Sequence, residues 1–321
     1  MRKYNLHPAV LLTLLAAVLA VVFWGVHRYR HRLVREPVDL VRLLPLALPL
    51  ERPDASTLYI DVSALRKSGY LDLLAGANAT NEADYHQFVE ATNFEYTRDL
   101  QAIAGAVWSD RLHLYVQGHF DWSRLREYAR RRSGDCSSDE CSLPATQPGK
   151  WVGFAELQPD VMALVVAPNR EAASGAATAA LAQTRPTAPS LVSPDPVWFR
   201  PAHSMLERPG GFPHSLRMLA ISLQPANSVT VSLGPSSLGS SGQAAFDLKL
   251  KASFAKPAMA DTAKNQLEID TKMLRLELAR EGARANPADL TGLFTAGTFS
   301  QQRNVLFGTW PVRKEFLKAL R

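Results

Sequence analysis

The longest apolar run, Ala9 to Val26, holds eighteen residues without a charge. As a helix it reaches across a hydrocarbon core of about 30 Å. Phe23 and Trp24 stand near its end, where aromatic rings favour the membrane interface, and His27-Arg28-Tyr29-Arg30-His31-Arg32 follows directly. No small-x-small cleavage site separates the run from the arginines, and the run exceeds the usual apolar core of a signal peptide. The pattern predicts a short tail at 1–8 and an uncleaved transmembrane anchor at 9–26. Residues 27–56 read as a basic juxtamembrane segment and a Pro/Leu-rich connector, in which Pro45 and Pro49 stop a helix.

Beyond the connector the apolar positions change period several times. Thr57–Val62 alternates as a strand and an amphipathic helix begins at Ser63. Strands are predicted over Ile103–Trp108 and Leu112–Phe120. Asp121 then caps a helix over Trp122–Arg132 that Gly134 closes. Strands over Trp151–Leu157 and Val161–Ala167 and a helix over Arg170–Ala182 complete this stretch. Residues 183–196 carry four prolines and read as a linker.

After the linker a similar order returns. Val197–Arg200 reads as a strand, and Pro201 opens a helix with Met205 and Leu206 on its apolar side. Strands follow over Leu219–Leu223, Val229–Leu233 and Phe246–Phe254. Pro257 starts a long helix ending near Gly282, with Met259, Ala263, Leu267, Leu274 and Leu278 in one row and Ile269, Met273 and Leu276 in a second. Two apolar rows predict a helix packed between the sheet and another element. Strands over Leu293–Phe299 and Val305–Trp310 and a helix over Val312–Leu320 finish the chain. The expected fold class is therefore α+β: a transmembrane helix, then two similar antiparallel-sheet units at 57–182 and 197–321, each with helices packed on one face. A repeat of about 125 residues predicts an internal duplication.

Charge changes the picture by its location. The chain has 321 residues, a net charge of +6 and a pI of about 9.4. Six of its 36 Lys and Arg and one of its 30 Asp and Glu lie in residues 1–36, leaving 30 against 29 and a net charge of +1 for the remainder. A body-wide field for gathering phosphates is excluded, and no nucleic-acid partner is expected. The partners expected are membrane lipid through the anchor and a protein or other envelope component.

The chain has two cysteines, Cys136 and Cys141, in the polar stretch Gly134–Cys141. Free cysteines are usually buried, so a short disulfide-closed loop accounts for their proximity in polar surroundings, with two unrelated free thiols as the alternative. Zinc needs four ligands, and no histidine lies near the pair. A disulfide requires an oxidising compartment and puts the body outside the cytoplasm. The arginines after the anchor favour the opposite orientation by the positive-inside rule, so a cytoplasmic-facing body is the alternative.

The stretch Asp54-Ala55-Ser56-Thr57-Leu58-Tyr59-Ile60-Asp61-Val62-Ser63-Ala64-Leu65, behind an apolar anchor and a Leu-Pro run, resembles a group of uncharacterised bacterial membrane-anchored proteins. The likeness takes in Gly118-His119-Phe120-Asp121-Trp122, the Cys136 and Cys141 pair, and Gln147-Pro148-Gly149. It covers mainly the first half and implies architecture and location, with no catalytic assignment to carry over.

The signatures of metalloproteases, phosphate-binding loops, dinucleotide folds and serine hydrolases do not occur in the sequence. Gln147-Pro148-Gly149-Lys150 reads as a turn. No cofactor or metal is expected, and no catalytic residue is assigned. The most suggestive residues are His113, Tyr115, Gln117 and His119, which share one face of a predicted strand. The two histidines stand about 20 Å apart at roughly 3.3 Å per residue, too far to share a metal. A half-solvated strand accounts for them, and a binding surface is the functional alternative. Five arginines on the helix after Asp121 read as a solvated face, with anionic lipid or glycan contact as the alternative. The serines of 234–242 have no adjacent histidine or aspartate. The function expected is a binding or interaction module at the cell envelope. An enzyme with a site assembled from distant residues, or a cytoplasmic-facing scaffold at anionic lipid, are the alternatives.

Overall fold

The computed structural model describes residues 54–69, 71, 83–137, 140–174, 193–207, 214–236 and 244–319. The predicted anchor at 9–26, most of the connector and linker, and the end of the predicted 170–182 helix lie outside them. No helix among the described residues is long and apolar enough to cross a membrane. The protein is a mixed α+β structure dominated by antiparallel sheet, in two compact units.

In the first unit, β1 (Ser56–Asp61), β2 (Leu100–Val107), β3 (Leu112–Gly118), β7 (Val161–Ala167), β6 (Trp151–Gln158), β5 (Glu140–Pro144) and β4 (Asp135–Cys136) lie in that spatial order. Every pair is antiparallel. Asp61 ends β1 and caps α1 (Val62–Lys67), its carboxylate accepting from the Ala64 N–H at 2.7 Å. Helices α2 (Ala83–Thr92) and α3 (Tyr96–Asp99) precede β2.

Helix α4 (Trp122–Arg131) starts at Asp121, which accepts from the Arg124 N–H at 3.1 Å. The left-handed residue at its end is Ser133, with φ of 59°, and not Gly134. Gly134 is small for another reason: a Cβ there would lie 2.6 Å from the Ala129 carbonyl and 2.7 Å from that of Ser142. Leu125 and Ala129 of α4 pack with Cys141, Leu143, Phe154 and Met162 on one face of the sheet. Helix α5 (Arg170–Ala173) lies on the other face, because its Ala173 carbonyl sits 2.1 Å from where a Gly153 Cβ would stand. Helices in this unit are thus not confined to one face.

The second unit orders β8 (Val197–Arg200), β9 (Ser228–Pro235), β10 (Ala244–Ser253), β12 (Val305–Arg313) and β11 (Thr298–Gln302), again antiparallel throughout. Taken by place in the chain, this matches β1, β2, β3, β7 and β6 of the first unit. Helices α6 (His203–Glu207) and α7 (His214–Leu223) fall between β8 and β9, and α8 (Pro257–Arg280) follows β10. Helix α9 (Leu290–Thr295) precedes β11, and α10 (Lys314–Ala319) ends the unit.

Three expectations change here. Leu219–Leu223 is the end of a helix rather than a strand, since a short apolar run fits either period. Leu293–Thr295 is helical because Asp289 caps it, accepting from the Thr291 and Gly292 N–H groups, and the strand begins at Thr298. Helix α8 packs along β11 and β12 and buries Ala260, Ala263 and Leu267, but Ile269, Met273 and Leu276 are exposed, so the second row is not covered.

Candidate functional site

The face of the first sheet opposite α4 holds the residues singled out from sequence. Cross-strand pairing places Thr57, Ala106, His113 and Val165 in one row, Tyr59, Ala104, Tyr115 and Ala163 in the next, and Asp61, Ala102, Gln117 and Val161 in a third. Three alanines on β2 thus form a floor between polar side chains on β1 and β3.

The strand is not half-solvated. His113, Tyr115 and Gln117 are exposed by only 6%, 1% and 3%, and Thr57 by 3%. His119 differs: it lies beyond the end of β3, is exposed, and meets Gln101 Nε2 at 3.3 Å through its Nε2. The structure brings three of the four residues together and leaves the fourth outside.

Polar satisfaction within this band is incomplete. Gln117 Nε2 donates to Asp160 at 3.2 Å, and the rings of His113 and Tyr115 stand 5.0 Å apart. Thr57 Oγ1, His113 Nε2 and Gln117 Oε1 have no hydrogen-bond partner among the described residues. Such atoms are rare in native proteins, because each forfeits its hydration without replacement. Burial, with a smaller contribution from Arg111, pushes the His113 imidazolium down to about 4, so the ring is neutral at pH 7. Burial alone pushes the Tyr115 phenol up to about 12. The carboxyl of Asp61 is raised by burial against the pull of its hydrogen bond from Ala64. At His113 and Tyr115 the band therefore offers neutral rings rather than a charge.

Cys136 and Cys141 are joined by a disulfide and face each other directly across β4 and β5. The polar sequence around them is misleading about their setting. Strand β5 carries Cys141 beneath α4, where it is 1% exposed and packs with Leu125, Leu143 and Phe154, with Cys136 against the same cluster.

The arginines of α4 are mostly engaged. Arg124 pairs with Asp121, Arg126 with Glu156 and Arg131 with Glu127, while Arg132 lies over the Tyr128 ring. Paired surface charges of this kind suit a solvated face.

A cluster in the second unit has no counterpart in the sequence reading. Buried Asp195 accepts from Lys249 Nζ at 2.7 Å, Ser232 Oγ at 2.6 Å and Ser193 Oγ at 3.2 Å. Burial would raise its carboxyl, but the hydrogen bonds from Lys249 and Ser232 outweigh that and hold it below its usual range. Gly234 makes room, since a Cβ there would stand 1.9 Å from Asp195 Oδ1. With its oxygens bonded to three side chains, Asp195 ties the chain entering β8 to β9 and β10. The only local signal was an aspartate between two prolines. Among the described residues, no three His, Cys, Asp or Glu side chains group as metal ligands.

No protein-family model matches the chain, and no curated protein matches it. Solved structures similar to it include crystal forms I and III of TP0453, each 12% identical and each covering 89% of this chain and 98% of that one, with TM-scores of 0.46 and 0.43. At that level the likeness identifies neither a family nor a function for this chain.

Proposed function

We propose that this chain is a single-pass, membrane-anchored binding module of the cell envelope, with its body outside the cytoplasm and the β1–β2–β3 band of the first unit as its binding surface. The observation that carries the reading is the set of three buried, unpartnered atoms, Thr57 Oγ1, His113 Nε2 and Gln117 Oε1, beside a floor of alanines. A ligand that hydrogen-bonds there supplies what the protein leaves unmade. Because the groups are buried, the ligand is enclosed rather than laid on the surface. Because His113 is neutral, the ligand meets a hydrogen-bonding imidazole there rather than a cation, and a small polar molecule fits that end of the band.

Native mass spectrometry of the gently purified full chain is the test. Wild type is expected to carry a bound small molecule that a folded Thr57→Val/His113→Phe variant lacks. Identical, empty masses for both proteins would end the reading.

Location rests on separate support. A paired cysteine couple persists where the surroundings are oxidising. An impermeant maleimide on intact cells is expected to label Cys136, the less buried of the pair, only after reduction. Labelling that needs a broken membrane and no reductant would turn the body to the cytoplasm, as the Arg28–Arg35 cluster favours. The matching strand orders further support two units descended from one ancestral copy.

A further inference from the structure

Strand β11 ends the sheet of the second unit, and its outer edge carries a specific set of backbone groups. It joins β12 through the two-residue turn Arg303–Asn304, with Arg303 left-handed at φ of 53° and Gln302 opposite Val305. In a two-residue hairpin the closing pair exchanges both of its hydrogen bonds. Gln302, Ser300 and Thr298 therefore turn their N–H and C=O groups inward, toward Val305, Phe307 and Thr309. The far side of β12 agrees with this phase, because the Asn304 carbonyl there accepts from the Phe254 N–H at 2.9 Å.

By alternation, Phe299 and Gln301 turn their backbone groups outward. Neither N–H donates to any described residue. The Gln301 side chain is turned back, donating to the Pro257 and Arg303 carbonyls at 2.9 and 2.7 Å. Natural edge strands are commonly guarded by lysine, proline or an inward charge. The strand Thr-Phe-Ser-Gln-Gln has none of these, and Thr298, Ser300 and Gln302 are exposed.

We propose that β11 pairs antiparallel with β11 of a second copy of this chain, about a two-fold axis at Ser300. Only outward-turned residues can exchange bonds across the new pair, which limits the registers. Centring on Phe299 or on Gln301 pairs one such residue from each copy. Centring on Ser300 pairs both, Phe299 with Gln301 in each direction, and so makes the largest set of bonds. That register sets Ser300 opposite Ser300 and Thr298 opposite Gln302, with no charge anywhere in the strand and hence no like-charge opposition. A self-complementary, uncharged edge fits its own copy across a two-fold axis.

The test adds cysteines to exposed positions of the full chain, with the native Cys136–Cys141 bond intact. Opposed Ser300 residues would form a pair without direct hydrogen bonds, with Cα atoms about 4.5 Å apart, within the reach of a disulfide. Gln302 and its counterpart in the second copy would stand about 13 Å apart at a rise of about 3.3 Å per residue, beyond that reach. Under mild oxidation Ser300→Cys is expected to form a covalent dimer about tenfold faster than Gln302→Cys, because ordered pairing replaces random collision. The double variant Thr298→Cys/Gln302→Cys should match Ser300→Cys, since those two positions oppose each other. Ser300→Cys linking no faster than Gln302→Cys overturns the proposal, as does a double variant no faster than Gln302→Cys alone. Occupation of the edge by an extended peptide of another protein would give the first of these results.

Discussion

Acidification from pH 6.5 to about 4 is expected to cost the first unit on the order of 3 kcal/mol through His113 alone, at about 1.4 kcal/mol per pH unit. The imidazole is buried, and its folded value lies at about 4 against an ordinary 6.5. Between those limits the unfolded chain takes up a proton that the folded chain refuses. The unfolded state then binds more protons, so stability falls with pH across the window and the loss is complete below about 4. Asp61 and Glu95, both raised by burial, act in the opposite sense, because their folded forms take up protons first. The comparison that isolates His113 is therefore wild type against His113→Phe, by hydrogen exchange of the β2 and β3 amides as a function of pH. The variant should lose the His113 part of the slope and match or exceed wild-type stability at pH 5. Equal slopes for the two proteins would mean that His113 is hydrated in solution. In the second unit Asp195, held below its usual range, stabilises above an ordinary carboxyl value and loses that contribution only as pH falls through its lower folded value. The two units should therefore fail in different acid windows.

Gly105→Val is expected to destabilise the first unit by about 3 kcal/mol, at the upper end of the range for overpacking a filled core. Gly105 lies opposite Leu114, and a Cβ there would fall 2.2 Å from the His113 carbonyl and 2.9 Å from Leu114 Cα. Those are backbone atoms, so no side-chain rotation relieves the clash and β2 must move away from β3. The same movement widens the band between Ala106 and His113. Thermal unfolding should fall by several degrees, while a Gly149→Ser control at an exposed turn with nothing within 4 Å should change far less. The control still carries the strain of a left-handed φ of 74°. A Gly105→Val protein as stable as wild type would mean that β2 and β3 stand further apart than the structure has them.

Period and caps made much of the fold legible. The alternation of Leu112–Phe120, the Asp121 cap and the Pro257 start each mark an element that forms where the pattern places it. The shared face of His113, Tyr115 and Gln117 was equally readable, because it follows from a period of two. Its burial was not, since alternating polar residues look the same whether water or protein lies above them. Short apolar runs were ambiguous at Leu219–Leu223 and Leu293–Phe299, although the Asp289-Leu290-Thr291 start of α9 held a usable cap signal. The Asp195, Ser232 and Lys249 cluster was out of reach, as pairing of β9 with β10 is what brings its members together. The exposed ridge of Ile269, Met273 and Leu276 shows the converse limit: helical period identifies a row, but not which row the sheet will cover.

The order of strands also sets a route for folding. Neighbours in the first sheet mostly form from segments adjacent in the chain, as hairpins β2–β3, β4–β5, β5–β6 and β6–β7. Two seams are different: β1 meets β2 across α1, α2 and α3, and β7 inserts beside β3, with Val161 against Gln117, only after α4 and three strands have been laid down between them. In the second unit β9 reaches β8 across α6 and α7, and β12 reaches β10 across α8, α9 and β11, in the same manner. Closing such a loop sacrifices chain entropy before any contact repays it, so these seams should close last and limit the rate at which each unit folds. Until then Ala106, His113 and their neighbours lie on an open edge. The hairpins can gain exchange protection early, whereas the band that holds the unpartnered polar atoms comes into being only with the final step.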